Sequence, residues 1–150
     1  MDGSETNKTH TIKPVILNPA AIAATPVEGF SDSTGGNVTW KTLFSSPNSP
    51  TNTFTTGIAR CNPKGGYLQL HRHKQAEIYH VTHGHGIVSI EGVEYPVEKG
   101  TVLFIPGDAE HGIRNTNERE ELVWLYVFAT DKFEDVVYRF KKDGNLKSKL

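Results

Sequence analysis

The feature that most constrains the fold is a regular succession of short apolar runs and turn residues between residues 38 and 129. Gly84, Gly92, Gly100 and Gly107 interrupt the chain about every eight residues, close to the turn spacing of β-sandwiches and barrels. No long helical periodicity competes with these runs. We therefore predict an all-β protein. The predicted strands are 67–73, 77–82, 86–90, 93–97, 101–105, 111–115 and 122–129, with earlier strands near 38–44 and 53–59.

A chain of 150 residues suits one compact domain. Residues 1–36 are rich in Thr, Ser, Asn, Pro and Gly. Because Pro14, Pro19 and Pro26 interrupt any helical period, we expect an extended arm there, with its first ten residues disordered. Residues 37–130 are expected to form the barrel.

The C-terminal residues 131–150 fit two structures. Asp131 to Glu134 resembles a helix N-terminus, and Phe133, Val136, Val137 and Phe140 have helical spacing. We therefore predict a short helix followed by a basic, polar tail that frays. The alternative is a strand, because Val136, Tyr138 and Phe140 also alternate.

Composition excludes several classes of protein. With 16 basic and 17 acidic residues the net charge is -1, so no overall field attracts nucleic acid or an anionic membrane. No run approaches the ~20 apolar residues of a membrane span, and the N-terminus lacks the apolar core of a signal peptide. The single cysteine, Cys61, has no internal partner for a disulfide. We expect a soluble, cytoplasmic protein without nucleic-acid or membrane partners.

The histidines carry the strongest chemical signal. His71 and His73 are two residues apart, so on a strand their side chains point to the same face. Glu77 begins the next predicted strand and His111 begins a later one. A lone histidine is more often a surface or core residue, but three imidazoles and a carboxylate are a suitable set for Fe, Mn, Ni, Zn or Co. The sequence predicts one divalent transition metal per chain.

Two motifs surround these residues. The first has Gly65, then His71-Arg72-His73, Glu77 and Gly84; the second has Gly100, Pro106, His111 and Asn115. Residues 85–99 separate them, a gap of 15 residues. The motifs and this short gap resemble those of the cupin family. The second motif departs from the family pattern once, since Asp108 stands where a glycine is usual.

The resemblance implies a single-domain jelly-roll β-barrel with a ligand site between its strands. It also implies that His71, His73, Glu77 and His111 are the metal ligands. The two motif glycines at the turns, Pro106 and Asn115 would then have structural roles. The remaining histidines of this region are expected at the surface: His80, His83 and His85.

Alternation along the strands predicts which other side chains line the pocket. Tyr67 and Gln69 should share the face of His71, Ile113 that of His111, and Tyr79 that of Glu77. Strand 122–129 is apolar on both faces; we place Trp124, Tyr126 and Phe128 in the cavity, with the opposite register as the alternative. A phenol two residues from a metal-bound carboxylate stands close to any bound substrate. Tyr79 is therefore the candidate general acid or base.

The order His71-x-His73, Glu77, Tyr79 is also similar to that of the small cupin lyases that cleave dimethylsulfoniopropionate. This similarity implies a metal acting as a Lewis acid on a small, oxygen-rich molecule, with lyase, isomerase or cyclase chemistry. An Fe(II)-dependent dioxygenase is the first alternative, and a non-catalytic small-molecule-binding cupin is the second. The apolar strand, the N-terminal arm and the open edges of a small barrel favour a homodimer.

Overall fold

The computed structural model describes residues 11–141 and consists mainly of antiparallel β-strands. The turns that precede three of the strands use glycine in the left-handed region, at Gly84, Gly92 and Gly100. Such turns are the source of the regular glycine spacing. The strands are β1 (Glu28–Gly29), β2 (Thr39–Phe44), β3 (Thr55–Cys61), β4 (Tyr67–Arg72), β5 (Glu77–His83), β6 (His85–Ile90), β7 (Val93–Glu98), β8 (Val102–Ile105), β9 (His111–Asn115), β10 (Leu122–Phe128) and β11 (Arg139–Phe140).

The strands form two sheets that enclose the core. The six-stranded sheet has the order β1-β2-β3-β10-β5-β8, and the five-stranded sheet has the order β11-β4-β9-β6-β7. A late strand thus lies between two earlier strands in each sheet. This interleaving is the jelly-roll arrangement that the family resemblance implied. No helix among residues 11–141 is long and apolar enough to cross a membrane.

Strand β10 has apolar residues on both faces, but only one face is fully buried. Leu122, Trp124, Tyr126 and Phe128 are between 0% and 4% exposed and face the interior. The three residues between them are partly exposed on the outer surface of the six-stranded sheet. The buried face is the one that we predicted for the aromatic residues.

Strand β4 breaks the regular alternation. Leu68 pairs with Ile113 of β9, whereas His71 pairs with His111, so the register shifts by one residue between the two pairs. This shift is a β-bulge, which adds a residue to one strand only. As a result, the inward-facing residues Leu68 and His71 are three positions apart instead of two.

The N-terminal arm is partly helical. A six-residue helix, α1 (Pro19–Ala24), lies within the arm that we predicted to be extended. Pro19 occupies the first turn, where no helical hydrogen bond needs its missing N–H. The Asn18 side chain caps the helix by accepting from the Ala21 N–H at 2.9 Å. The predicted disorder of residues 1–10 lies outside the described residues.

The predicted C-terminal helix is wrong beyond its first turn. A 3-10 turn spans Phe133–Asp135, and its N-terminal residue Lys132 provides no side-chain cap. The chain then extends into β11, which pairs with the end of β4. The strand alternative therefore describes residues 136–140 better, because pairing with β4 and burial of alternate aromatic rings outweigh a weakly capped helix. The predicted fraying tail starts at Lys141, whose N–H donates to the Leu70 carbonyl at 2.9 Å. Its remaining residues, 142–150, lie outside the described residues.

Candidate metal centre

The three histidines of the predicted site converge in the interior. His71 lies on β4, His73 follows just after that strand, and His111 begins β9. Each is no more than 1% exposed, and one ligand nitrogen of each lies within 4.8 Å of the others. Such a group can hold a metal ion.

Each imidazole ring is oriented by a backbone carbonyl oxygen, to which its Nδ1 donates a hydrogen bond. The acceptors are Gln69 for His71 (2.7 Å), Gln75 for His73 (2.9 Å) and Ala109 for His111 (2.8 Å). Because a carbonyl oxygen only accepts, the proton of each neutral ring is on Nδ1, and Nε2 presents its lone pair. This second hydrogen bond is typical of metal-ligating histidines.

The Nε2 atom of His71 shows most directly that the set fits a cation. It is buried, and among residues 11–141 it has no hydrogen-bond partner. Burial and the neighbouring imidazole of His111 hold the pKa of His71 well below its ordinary value. The ring is therefore neutral at neutral pH, which is the form that binds metals.

Glu77 completes the cluster from the opposite sheet. It is the first residue of β5 and is 4% exposed. Its Oε2 lies 3.0 Å from Nε2 of His73 and 3.1 Å from Nε2 of His111. Lone pairs would face each other in these contacts unless a proton or a metal cation lies between them. Three converging imidazole nitrogens, two of them in contact with a carboxylate oxygen, are a donor set suited to first-row transition metals.

The turn before His111 explains the departure from the usual motif. Asp108 adopts a left-handed conformation with φ 61°, a region that glycine enters freely and that aspartate tolerates better than most residues. Its N–H donates to the carbonyl oxygen of His73 at 2.8 Å. The aspartate therefore preserves the backbone turn and ties the turn before His111 to His73.

Tyr79 lies on the interior face of β5, two residues beyond Glu77. It is 1% exposed, and its ring centroid is 6.2 Å from that of His111 and 5.5 Å from that of Trp124. Burial, reinforced by the Glu77 carboxylate, raises the pKa of Tyr79 well above its ordinary value. The phenol therefore lies beside the cluster and is protonated at neutral pH when no cation opposes this field.

Comparison with known proteins identifies the family. The family model described as a cupin domain matches residues 58–128. The dimethylsulfoniopropionate lyase DddW of Ruegeria pomeroyi is 41% identical over 124 residues, which are 81% of this chain and 80% of DddW. The chain is a cupin.

Solved cupin structures share its fold. The polyketide cyclase RemF of Streptomyces resistomycificus superposes with a TM-score of 0.68 at 16% identity, covering 90% of this chain and 94% of RemF. A cupin-2 domain protein of Rhodospirillum rubrum gives 0.67 at 19% identity, covering 92% of this chain and 86% of that protein. Both similarities establish the architecture alone.

Aromatic rings cover the histidines of this cupin, a feature that our sequence analysis missed. Tyr138 packs on His71 with ring centroids 4.8 Å apart, and it contacts Phe30 at 5.4 Å and Phe140 at 5.7 Å. We refer to Phe30, Phe133, Tyr138 and Phe140 as the aromatic cover. The alternation of Val136, Tyr138 and Phe140 was the available signal, because it fits a strand packed over the barrel.

The pocket residues predicted by alternation fall into two groups. Ile113, Trp124 and Tyr126 lie on the buried faces of β9 and β10. The prediction for Tyr67 and Gln69 is wrong, because the bulge in β4 turns both side chains to the outer surface of the five-stranded sheet. There they line a surface groove of about 370 Å³.

The three other histidines of this region, His80, His83 and His85, are exposed. His83 lies 3.9 Å from the carboxylate of Glu120, and His85 contacts Thr116 and Asn117. None of the three belongs to the buried histidine group. Their surface positions agree with the prediction.

Proposed function

We propose that this cupin is a metal-dependent lyase that cleaves dimethylsulfoniopropionate, or a closely similar carboxylate with a leaving group on its β-carbon. The observation that carries the proposal is the convergence of three buried imidazoles and Glu77 beside the buried phenol of Tyr79. The similarity to DddW over four-fifths of both chains supports the choice of substrate.

The metal would be held by Nε2 of His71, His73 and His111 and by the carboxylate of Glu77, with one ion per chain. A divalent cation bound there supplies positive charge that polarises the substrate carboxylate, acidifies the adjacent carbon and opposes the anionic field that raises the Tyr79 pKa. The donor set suits Fe, Mn, Ni, Zn or Co.

Tyr79 takes the proton in the proposed reaction. Its phenolate oxygen removes a hydrogen from the carbon next to the substrate carboxylate, and the electron pair of that C–H bond forms a C=C bond. The C–S bond breaks at the same time, and its electron pair leaves with the sulfur. The products are dimethyl sulfide and acrylate, and the proton remains on the Tyr79 oxygen until it is released.

The buried surroundings assist this proton transfer. Phe128 packs against His73 at 5.1 Å, and Tyr138 covers His71 at 4.8 Å. These rings limit the access of water to the imidazoles, which strengthens electrostatic interactions within the site. Tyr138 also faces Glu77, and burial together with that carboxylate raises its pKa well above the ordinary value.

The proposal is tested by incubating metal-loaded protein with dimethylsulfoniopropionate. Gas chromatography should detect dimethyl sulfide, and liquid chromatography should detect an equal amount of acrylate. Formation of neither product by protein with one metal ion per chain would overturn the proposal. An oxygen electrode provides the second readout, since substrate-dependent oxygen consumption would favour the dioxygenase alternative.

We also propose that two copies of the chain associate. The outer surface of the six-stranded sheet supports this, because Ile78, Val102 and Phe104 on its neighbouring strands β5 and β8 are 42%, 65% and 65% exposed. Light scattering at micromolar concentration should give twice the mass of the chain. Phe104→Lys should give the monomer mass, and a monomer in the unsubstituted protein would refute the proposal.

A further inference from the structure

The metal centre is enclosed on every side. Its three histidines are no more than 1% exposed, Glu77 is 4% exposed and Tyr79 is 1% exposed. A small molecule that reacts there has to contact both the cluster and the phenol. Because these side chains have almost no accessible surface within residues 11–141, no space of that size adjoins them. Part of the wall therefore has to move before such a molecule can bind.

Most of the wall is held in long ladders or is needed by the ligands. Strand β10 pairs with β3 through seven residues and with β5 through six. The loops on either side of the cluster supply the carbonyl oxygens of Gln75 and Ala109, which orient His73 and His111. Residues 132–140 provide none of the converging histidines and none of the carbonyl groups that orient them. We refer to residues 132–140 as the lid.

The lid lies directly over two of the histidines. It carries three of the four rings of the aromatic cover: Phe133, Tyr138 and Phe140. Tyr138 packs on His71 at 4.8 Å and against His73 at 5.7 Å. Phe140 lies 5.8 Å from His71. Displacement of the lid would therefore uncover the imidazoles of both residues.

The turn of the lid is held loosely. The Phe133 N–H donates to Oγ of Ser45 at 2.9 Å, and Nε2 of Gln75 donates to the Asp135 carbonyl at 3.0 Å. Two surface clefts of about 530 and 540 Å³ adjoin the turn, one lined by Phe133 and the other by Asp135. Segments with few buried contacts and solvent-exposed hydrogen bonds open at a low free energy.

The two ends of the lid differ in how firmly they are attached. Just before it, the Thr130 carbonyl accepts from the Thr55 hydroxyl at 2.9 Å, and the Asp131 carbonyl accepts from the Ser46 N–H at 2.8 Å. At its other end, β11 pairs with β4 over two residues. Residues 130–131 are thus a fixed base, whereas the β11 end can separate.

We infer that the lid opens about its base at residues 130–131 and separates β11 from β4, which admits small molecules to the metal centre. Closure returns Tyr138 to His71 and excludes water from the imidazoles. That the admitted molecule is a lyase substrate rests on the proposed function, but the opening of the lid does not.

The first test locks the lid with a disulfide. Arg139 pairs directly with Arg72, and residues paired across antiparallel strands have Cα atoms about 4.5–5.5 Å apart, a separation that a disulfide spans. The native Cys61 is 0% exposed and does not interfere. Zinc-loaded, full-length Arg72→Cys/Arg139→Cys should release zinc to the chelator 4-(2-pyridylazo)resorcinol at least about tenfold more slowly when oxidised than when reduced.

A second disulfide separates locking of the lid from general stabilisation. Ser89→Cys/Glu94→Cys joins paired residues of β6 and β7, at the opposite edge of the same sheet. Its zinc release should be the same in both redox states. Mass spectrometry verifies each disulfide by the loss of two hydrogens. Equal release from the oxidised and reduced lid variant, or equal slowing by the control disulfide, would overturn the inference.

Hydrogen exchange tests the lid without any substitution. In the zinc-loaded protein, peptides from residues 132–140 should exchange at least about tenfold faster than peptides from β10. Equal protection of the two segments would show that the lid does not open separately. With dimethylsulfoniopropionate, oxidation of the lid variant should lower kcat/KM. If the unsubstituted protein does not cleave this compound, the lyase proposal fails, while zinc release and hydrogen exchange still decide the lid.

Discussion

Strand β9 carries a buried polar residue at each end, and the two differ in how their polar atoms are satisfied. At the C-terminal end, Asn115 is 2% exposed. Both the nitrogen and the oxygen of its carboxamide form hydrogen bonds within the protein. Its Nδ2 donates to the carbonyls of Cys61, Asn62 and Glu120, and its Oδ1 accepts from Asn117. Asn115 therefore fastens loops together, which is a structural role.

At the N-terminal end, His111 is equally buried, but one of its two ring nitrogens faces a cluster of other donor groups. Its Nδ1 is bonded to Ala109, while its Nε2 faces Glu77 with the Nε2 atoms of two further imidazoles close by. Burial alone thus fails to distinguish the two ends. The comparison shows that Asn115 forms its hydrogen bonds with groups that join loops, whereas His111 turns one nitrogen toward other donor atoms that a shared proton or cation would bridge.

The largest effect should follow from removing a histidine whose Nε2 faces the shared site. His73→Ala or His111→Ala deletes one donor of the shared site, so bound metal should fall well below one per chain and turnover should fall at least about a thousandfold. Metal content is measured by inductively coupled plasma mass spectrometry. Full metal occupancy in His73→Ala would contradict the proposed metal site. As a control, His80→Ala should leave the metal content unchanged.

The next largest effect concerns the proposed base. Tyr79→Phe keeps the ring and its packing on Trp124 but removes the hydroxyl. Turnover of dimethylsulfoniopropionate should therefore fall by about 100-fold or more, while metal content and fold persist. Steady-state kinetics with metal analysis checks this. A rate equal to that of the unsubstituted enzyme would limit Tyr79 to core packing.

Substitution of the fully satisfied residue should have the opposite pattern. Asn115→Ala removes the carboxamide that donates to three carbonyl groups from different loops, so the free energy of unfolding should fall by about 2 kcal/mol. Metal occupancy of the folded protein should not change, because no bond of Asn115 reaches the cluster. Urea denaturation combined with metal analysis distinguishes this result from loss of the site. A strong loss of metal with unchanged stability would contradict the comparison.

The smallest effect is a pH dependence of the metal-free protein. The folded-state pKa of His71 is lowered because burial and the His111 imidazole disfavour its charged form. The unfolded chain therefore takes up a proton near the ordinary value of about 6.5, whereas the folded chain does not. The contribution of this ring to the free energy of unfolding is complete above that pH. It decreases as the pH falls, by up to about 1.4 kcal/mol per pH unit.

This dependence is measured by urea unfolding of metal-free protein between about pH 7.5 and about pH 5.5. His71→Gln should make the slope shallower, since Gln does not titrate. An identical slope in that variant would show that other groups cause the loss of stability.

The same comparison explains what the sequence could predict. The convergence of the candidate ligands on β4, β5 and β9 follows from spacing, because each lies at or near the end of a strand. Tyr67 and Gln69 were placed on the wrong face because the extra residue of a bulge has no chemical signature, and one added residue reverses the direction of every side chain on its far side.

The aromatic cover was missed for another reason. Residues 133–140 satisfy a helical pattern and a strand pattern almost equally, and local propensity does not decide between them. The strand prevails because Tyr138 packs over His71 and because Lys141 donates to the Leu70 carbonyl of β4 at 2.9 Å. Both contacts join residues that are about 70 positions apart in the sequence, so only the folded barrel reveals them.

The aspartate in the turn before His111 makes the packing of β11 on the barrel sensitive to ionic strength. Besides forming the turn, Asp108 pairs through its carboxylate with Arg139 of β11, an ion pair that glycine at this position would lack. Both side chains are more than half exposed, so added salt screens their attraction, while the buried imidazoles are affected much less. In this cupin, a salt concentration that leaves the barrel intact should loosen β11 and the preceding residue Tyr138.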